Sequence, residues 1–213
     1  VGRPERYSMQ LMNDQRWLAL ANFSPAASVT LIDLDSRSII AEIATPGCVL
    51  VYPNGSRGFS SLCADGRFMS TILSAEGEIL AQKRMPVFFD SDETPIFERP
   101  AIIANMAYFP SFSGLMYPVD LTGEVAVVGE PWHLVPKTER AQKWAPGGLA
   151  IIDKDDLGRF YVLMHPDSKE GSHNSGGAEV WVYDPVKRQR VLRIPLKQWG
   201  VTLGVSSGER PLL

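Results

Sequence analysis

Trp17-Leu-Ala-Leu-Ala-Asn22, Ser28-Val-Thr-Leu-Ile-Asp-Leu34 and Ser38-Ile-Ile-Ala-Glu-Ile43 follow one another with only short breaks between them. Each run is rich in aliphatic and β-branched residues, and Asn, Ser, Pro and Asp punctuate the gaps, which is the pattern of strands joined by turns. The triplet recurs. A second set reads Gly58-Phe-Ser-Ser-Leu-Cys63, Arg67-Phe-Met-Ser-Thr-Ile-Leu73 and Glu78-Ile-Leu-Ala-Gln82. A third reads Met106-Ala-Tyr-Phe-Pro110, Leu115-Met-Tyr-Pro-Val-Asp-Leu121 and Val125-Ala-Val-Val128. A fourth reads Arg159-Phe-Tyr-Val-Leu-Met164, Glu179-Val-Trp-Val-Tyr-Asp184 and Arg190-Val-Leu-Arg-Ile194. Each set is led in by a further apolar stretch, at Arg6–Leu11, Cys48–Tyr52, Ala101–Ile103 and Gly148–Ile152.

The leading strands begin at Trp17, Gly58, Met106 and Arg159, at offsets of 41, 48 and 53 residues. Four-stranded antiparallel units of roughly 40–50 residues are the period of propeller blades. The expected fold is therefore all-β, a partial β-propeller domain over residues 1–213 with about four blades present. The blade units are expected at about 6–44, 48–83, 101–128 and 148–195, with 196–213 starting a further blade. Asp33, Asp120 and Asp184 each end a strand, where a carboxylate accepts backbone N–H bonds from the following turn. The inserts fall at 84–100, 129–147 and 165–178. Within the second insert, Thr138–Trp144 reads as one or two helical turns before Pro146. The chain opens on Val1 and closes on Pro211-Leu-Leu213, so both ends are expected to be cuts through a longer protein.

Lys and Arg number 21 and Asp and Glu 24, for a net charge of −3. That balance gives no electrostatic reason to expect nucleic acid or an anionic membrane as partner. No stretch approaches the roughly 18 consecutive apolar residues of a membrane-spanning helix. Cys48 and Cys63 are 15 positions apart in adjacent strand-like segments, and this spacing leaves a disulfide and two buried thiols both open.

Chemistry has few footholds. His165 and His173 share the polar 165–178 loop with Asp167 and Glu170, yet their spacing matches no known metal-ligand pattern. No Gly-x-Ser-x-Gly elbow and no phosphate-binding glycine loop occurs. The acidic run Asp90-Ser-Asp-Glu93 lacks the ligand alternation of a calcium loop and reads as a solvated turn. Trp17, Trp132, Trp144, Trp181 and Trp199 read as core and loop-covering residues. The residues thus describe a repeat β scaffold whose function lies in a partner or in a surface.

Several segments together resemble the heavy subunit of quinoprotein amine dehydrogenases, the methylamine and aromatic amine dehydrogenase family. They are Ser28–Leu34 with Glu42-Ile-Ala-Thr-Pro-Gly-Cys48, Phe88-Phe-Asp90 with Pro95-Ile-Phe-Glu98, Tyr117–Leu121 and Gly129-Glu-Pro-Trp132. Glu139–Gly148, Leu163-Met-His165, Glu170-Gly-Ser-His173 and Glu179–Asp184 extend the likeness over nearly the whole chain, in order. The resemblance implies a seven-bladed propeller and a disulfide between Cys48 and Cys63. It implies an α2β2 assembly with a light subunit that carries tryptophan tryptophylquinone. It further implies a periplasmic location, oxidation of a primary amine to an aldehyde and ammonia, and electron delivery to a blue-copper protein of the amicyanin or azurin kind. On this reading the chain holds no catalytic residue, cofactor or metal of its own. Trp132, His133, His165 and His173, with the 165–178 loop, are the candidate contacts with the light subunit at one rim. Two other readings stand beside it: a stand-alone propeller that binds without catalysis, and a propeller with its own metal at His165 and His173.

Overall fold

A computed structural model of the protein describes residues 6–213. The chain lays down four sheets in succession. Sheet one is β1 (Met9–Met12), β2 (Trp17–Asn22), β3 (Ser28–Asp33) and β4 (Ser38–Ala44), side by side in chain order. Sheet two repeats the order with β5 (Cys48–Asn54), β6 (Gly58–Cys63), β7 (Arg67–Leu73) and β8 (Ile79–Arg84). Sheet three holds β9 (Ala101–Ile103), β10 (Met106–Pro110), β11 (Leu115–Asp120) and β12 (Val127–Val128), and β13 (Trp132–His133) also pairs with β11. In sheet four, β14 (Ala145–Pro146) and β15 (Ile152–Lys154) both pair with β16 (Phe160–His165), followed by β17 (Gly177–Asp184) and β18 (Gln189–Gly200). Among the described residues, helix is confined to short 3-10 turns at Arg6–Ser8, Lys137–Gln142 and Ser172–Asn174.

The described residues cluster into two compact units. One comprises residues up to Glu93 together with Val119–Val128, and the other Thr94–Pro118 with Gly129–Leu213. In the first unit, Trp17, Ala19, Val29, Leu31 and Ile43 of sheet one share a core with Val51, Phe59 and Leu73 of sheet two. In the second, Ala101, Tyr108 and Met116 pack with Ile152, Phe160, Val162, Trp181 and Tyr183. Strand position sets which faces are covered. In β3 the alternation buries Val29, Leu31 and Asp33 and leaves the intervening side chains partly exposed, as period-two geometry requires. The inner strands β6 and β16 are buried at every position, so both of their faces meet protein. The outermost strand β8 is almost wholly exposed.

In three of the four sheets an aspartate closes the turn between the third and fourth strands. Asp33 Oδ1 accepts the backbone N–H of Asp35 at 3.0 Å and of Ser36 at 2.9 Å. Asp120 accepts that of Thr122 at 2.8 Å, and Asp184 those of Val186 and Lys187 at 3.0 Å each. Sheet two has no aspartate there, and the Ser74 hydroxyl accepts from Glu76 and Glu78 instead. These bonds favour the ionised carboxylate, and all three aspartates are held below their ordinary pKa, Asp33 and Asp184 chiefly by them and Asp120 chiefly by the Thr122 hydroxyl and then by its backbone N–H. Asp90 in the acidic run closes its own turn by accepting from Asp92 and Glu93.

Cys48 and Cys63 are register partners on β5 and β6 and are joined by a disulfide. Both are buried, against Met69. At the outer edge, side chains of β8 reach back to the end of sheet one: Gln82 Nε2 donates to the Ala44 carbonyl at 3.0 Å, and Arg84 Nη2 to that of Pro46 at 3.0 Å.

The structure moves two boundaries. The segment after 195 was expected to begin another blade, but β18 runs on to Gly200 and stays in sheet four, where Gly200 sits opposite Gly177. Gly177 permits that extension, because a Cβ there would lie 2.6 Å from Leu163 and 2.7 Å from the Met164 carbonyl. Sheet four also starts earlier than residue 148, with β14, and Trp132–His133, expected in an insert, forms β13. The helical turns expected over Thr138–Trp144 take 3-10 form over Lys137–Gln142.

Replacing both cysteines by serine in the full chain is expected to lower the unfolding free energy by about 3 kcal/mol, from the entropy of a loop this short in the unfolded state. Urea unfolding of the two proteins measures it, and an unchanged midpoint would show that the pairing of β5 with β6 already holds the segment.

Candidate functional site on the fourth sheet

Alternation along β17 places Glu179, Trp181 and Tyr183 on one face. Trp181 and Tyr183 are fully buried. Tyr183 stacks on Phe160 at 5.2 Å between ring centroids and donates its hydroxyl to the Leu134 carbonyl at 3.1 Å. Burial pushes its phenol well above the ordinary value. On β18, Arg193 lies opposite Trp181, and Arg190 opposite Tyr183. Both guanidiniums stack over Trp181, at 4.2 Å for Arg190 and 4.9 Å for Arg193, and Arg193 also lies 4.8 Å from the Trp144 ring. Such contacts contribute about 0.5–2 kcal/mol each, more where water is excluded.

Carboxylates hold the guanidiniums in place. Glu179 accepts from Arg193 at 2.6 and 2.8 Å and from the Trp181 indole N–H at 2.6 Å. Glu139, from the Lys137–Gln142 turn, accepts from Arg190 at 2.6 and 2.9 Å and from Arg193 at 3.3 Å. The pairs are mostly covered, with side-chain exposures of 16% for Arg190, 17% for Glu179 and 23% for Glu139. Arg190 donation lowers the Glu139 pKa, and Arg193 donation lowers that of Glu179. The Trp144 and Trp181 rings, 5.1 Å apart between centroids, thus pack around a guanidinium.

The four residues singled out in the sequence do not converge. Trp132 is half-buried on β13, against Phe160 at 6.1 Å and Tyr183 at 5.8 Å. His133, next to it, is exposed. His165 ends β16 with 1% exposure, so it supports the loop from beneath and presents no surface of its own. Its Nδ1 lies 3.0 Å from the Pro166 carbonyl, its Nε2 3.5 Å from the Ser172 hydroxyl, and its ring stacks on the exposed Trp199 at 6.2 Å. His173 stacks on Phe112 at 4.0 Å, with Nε2 against the Asn174 amide at 2.8 Å and its carbonyl accepting from Gly148 at 2.7 Å. His165 and His173 each have their own stacking partner, Trp199 and Phe112. Among the described residues no three His, Cys, Asp or Glu side chains group as metal ligands.

His133 instead faces a cleft of about 280 Å³ lined also by Ser113, Val135, Arg140, Lys143, Trp144 and Ser168. The basic residues of that cleft went unremarked in the sequence. Their signal was there: Arg140 and Lys143 are three apart in a segment expected to be helical, a spacing that puts side chains on one face.

A family model described as "Methylamine dehydrogenase heavy chain (MADH)" matches residues 3–213. The chain belongs to the methylamine dehydrogenase heavy chain family. It is 24% identical over 202 residues to the "Methylamine dehydrogenase heavy chain" of Methylophilus methylotrophus, covering 94% of this chain and 49% of that relative. It is 28% identical over 208 residues to that of Paracoccus versutus, covering 95% and 47%. The chain thus spans about half the length of these family members. Among solved structures it is similar to the Cps50 (Swd1) beta-propeller domain of Myceliophteria thermophila, with TM-score 0.54, 11% identity, and 97% and 60% coverage. It is also similar to a puromycin-hydrolyzing peptidase of Mycobacterium tuberculosis, with TM-score 0.59, 16% identity, and 94% and 32% coverage. At such identities the likeness concerns fold, and it agrees with the four sheets: the chain is part of a β-propeller.

Glu139 and Glu179 have folded-state pKa values below those of the unfolded chain, so their contribution is full above the ordinary carboxylate pKa and fades as pH falls through and below it. The double substitution Glu139→Gln with Glu179→Gln is expected to cost about 1–3 kcal/mol at pH 7 and to flatten the loss of stability between pH 6 and pH 3. Urea midpoints across that range check it, and an unaltered pH slope would refute the linkage.

Proposed function

We propose that this chain is part of the heavy subunit of a quinoprotein amine dehydrogenase and acts as scaffold and partner for a light subunit. The observation that carries the reading is the match of the methylamine dehydrogenase heavy chain family over residues 3–213. The blade-like sheets support it, because a repeat β scaffold with buried inner strands offers rims and inserts for another polypeptide.

On this reading the light subunit carries tryptophan tryptophylquinone, which supplies the two-electron oxidation of a primary amine to an aldehyde and ammonia. Electrons leave to a blue-copper protein, and the assembly is an α2β2 tetramer in the periplasm. This chain contributes surface and rigidity. Exposed His133 beside half-buried Trp132, with the loop pinned by His173 on Phe112, forms the contact region we assign to the partner. The 3-10 turn and the arginine–glutamate network of sheet four hold that region in one shape.

Coexpression of the full chain with the light subunit of a methylamine dehydrogenase tests the reading. The two are expected to copurify, and the complex to reduce an artificial electron-accepting dye when given a primary amine. His133→Glu is expected to lower the recovered light subunit severalfold. A full chain that is folded and leaves the light subunit behind would instead favour a stand-alone binding propeller.

A further inference from the structure

We propose that the cleft lined by His133, Arg140 and Lys143 is an oxyanion-binding site that takes the phosphate or carboxylate group of a small ligand. The cleft shares His133 with the contact region assigned to the light subunit, and its test is made on this chain without that subunit, so that failure of one reading is distinguishable from failure of the other. Three basic side chains face about 280 Å³ of space, and no acidic side chain lines it. Glu139, one position before Arg140, does not neutralise them, because it is engaged by Arg190 and Arg193.

Several oxygen atoms beside the cleft are already engaged in hydrogen bonds. The Gln142 carbonyl accepts from the N–H of Asp167 at 3.3 Å and that of Lys143 from Ser168 at 2.8 Å. The Arg140 carbonyl accepts from the N–H of Lys143 at 3.0 Å, and the Val135 carbonyl from Arg140 Nε at 3.5 Å. The side-chain oxygen of Gln142 is taken by the Trp144 indole at 2.9 Å. The cleft is lined by the Arg140 and Lys143 cations, the His133 imidazole, and Ser113 and Ser168, with the half-buried Trp144 ring and Val135 as an apolar wall.

Electrostatics agree with the geometry. Partial burial, and then the neighbouring Arg140 guanidinium, hold His133 below the usual histidine range. The ring is then neutral near pH 7, Arg140 and Lys143 supply the positive charge, and a bound anion would gain charge-assisted hydrogen bonds from them. The wall and the volume exceed the needs of a bare ion, so they suit an oxyanion borne on a small organic body.

Isothermal titration calorimetry of the full chain with sodium phosphate, and separately with sodium acetate, tests the site at an ionic strength fixed with sodium chloride. Saturable one-site binding is expected in at least one arm. Phosphate alone saturating assigns a phosphate-bearing ligand, and acetate alone a carboxylate. Arg140→Met and Lys143→Met are each expected to weaken binding about tenfold, whereas Lys137→Met, outside the cleft on the same turn, leaves it unchanged. If Arg140→Met loses its β-sheet circular dichroism, Lys143→Met alone decides. Absence of saturable heat in both arms, or equal weakening by Lys137→Met, overturns the proposal.

Discussion

A strand buried on both faces needs protein on either side of its sheet, and this requirement governs the molecule. Every position of β6 and β16 is buried. Neither sheet two nor sheet four could satisfy that alone, since a single sheet has at most one face against its own loops. Phe59 of sheet two completes the core that Trp17 and Leu31 begin in sheet one, and Phe160 of sheet four does the same with Tyr108 of sheet three. Each sheet is thus half of its neighbour's core, the energetic logic of a repeat protein. Polar side chains inside such a stack must be paired. Ser60 and Ser70 bond to each other, Ser60 donates to Asn54, and Asn54 donates to the carbonyls of Gly123 and Glu124.

Function in a scaffold of this kind resides where the repeat is broken. The regular strands carry no cluster of reactive groups, while the 129–147 and 165–178 inserts carry all three histidines, the cleft and one half of the glutamate–arginine network. Those inserts are stiff rather than slack. Glu139 is clamped by two arginines, His173 is stacked on Phe112, and the Gln142 and Lys143 carbonyls tie one insert to the other. A surface held this way meets a partner without ordering itself first, which reduces the entropic cost of association.

Much of the fold was legible because strands announce themselves locally. The strand triplets and the terminal aspartates follow from period-two alternation and from turn chemistry, both of which act over a few residues. The Cys48–Cys63 bond was left open by spacing and implied by family resemblance, and the register of β5 on β6 brings the two together. What escaped depends on contacts far apart in sequence. The continuation of β18 to Gly200 rests on a glycine facing it 23 positions earlier, Gly177. Burial of His165 depends on how β16 sits within its sheet. No local pattern encodes such distances.

The reach of Gln82 and Arg84 to the carbonyls of Ala44 and Pro46 carries a consequence for the protein in crowded surroundings. An outermost strand displays a ladder of unsatisfied backbone groups to any passing chain, and β8 is long and open. Here two polar side chains occupy acceptors at the end of β4 and two residues beyond it, and the Lys83 and Arg84 pair adds positive charge to the rim. An incoming strand from an identical molecule would have to bring its own lysines and arginines against these like charges. The same few atoms that finish the blade therefore discourage fibre-like growth from its border.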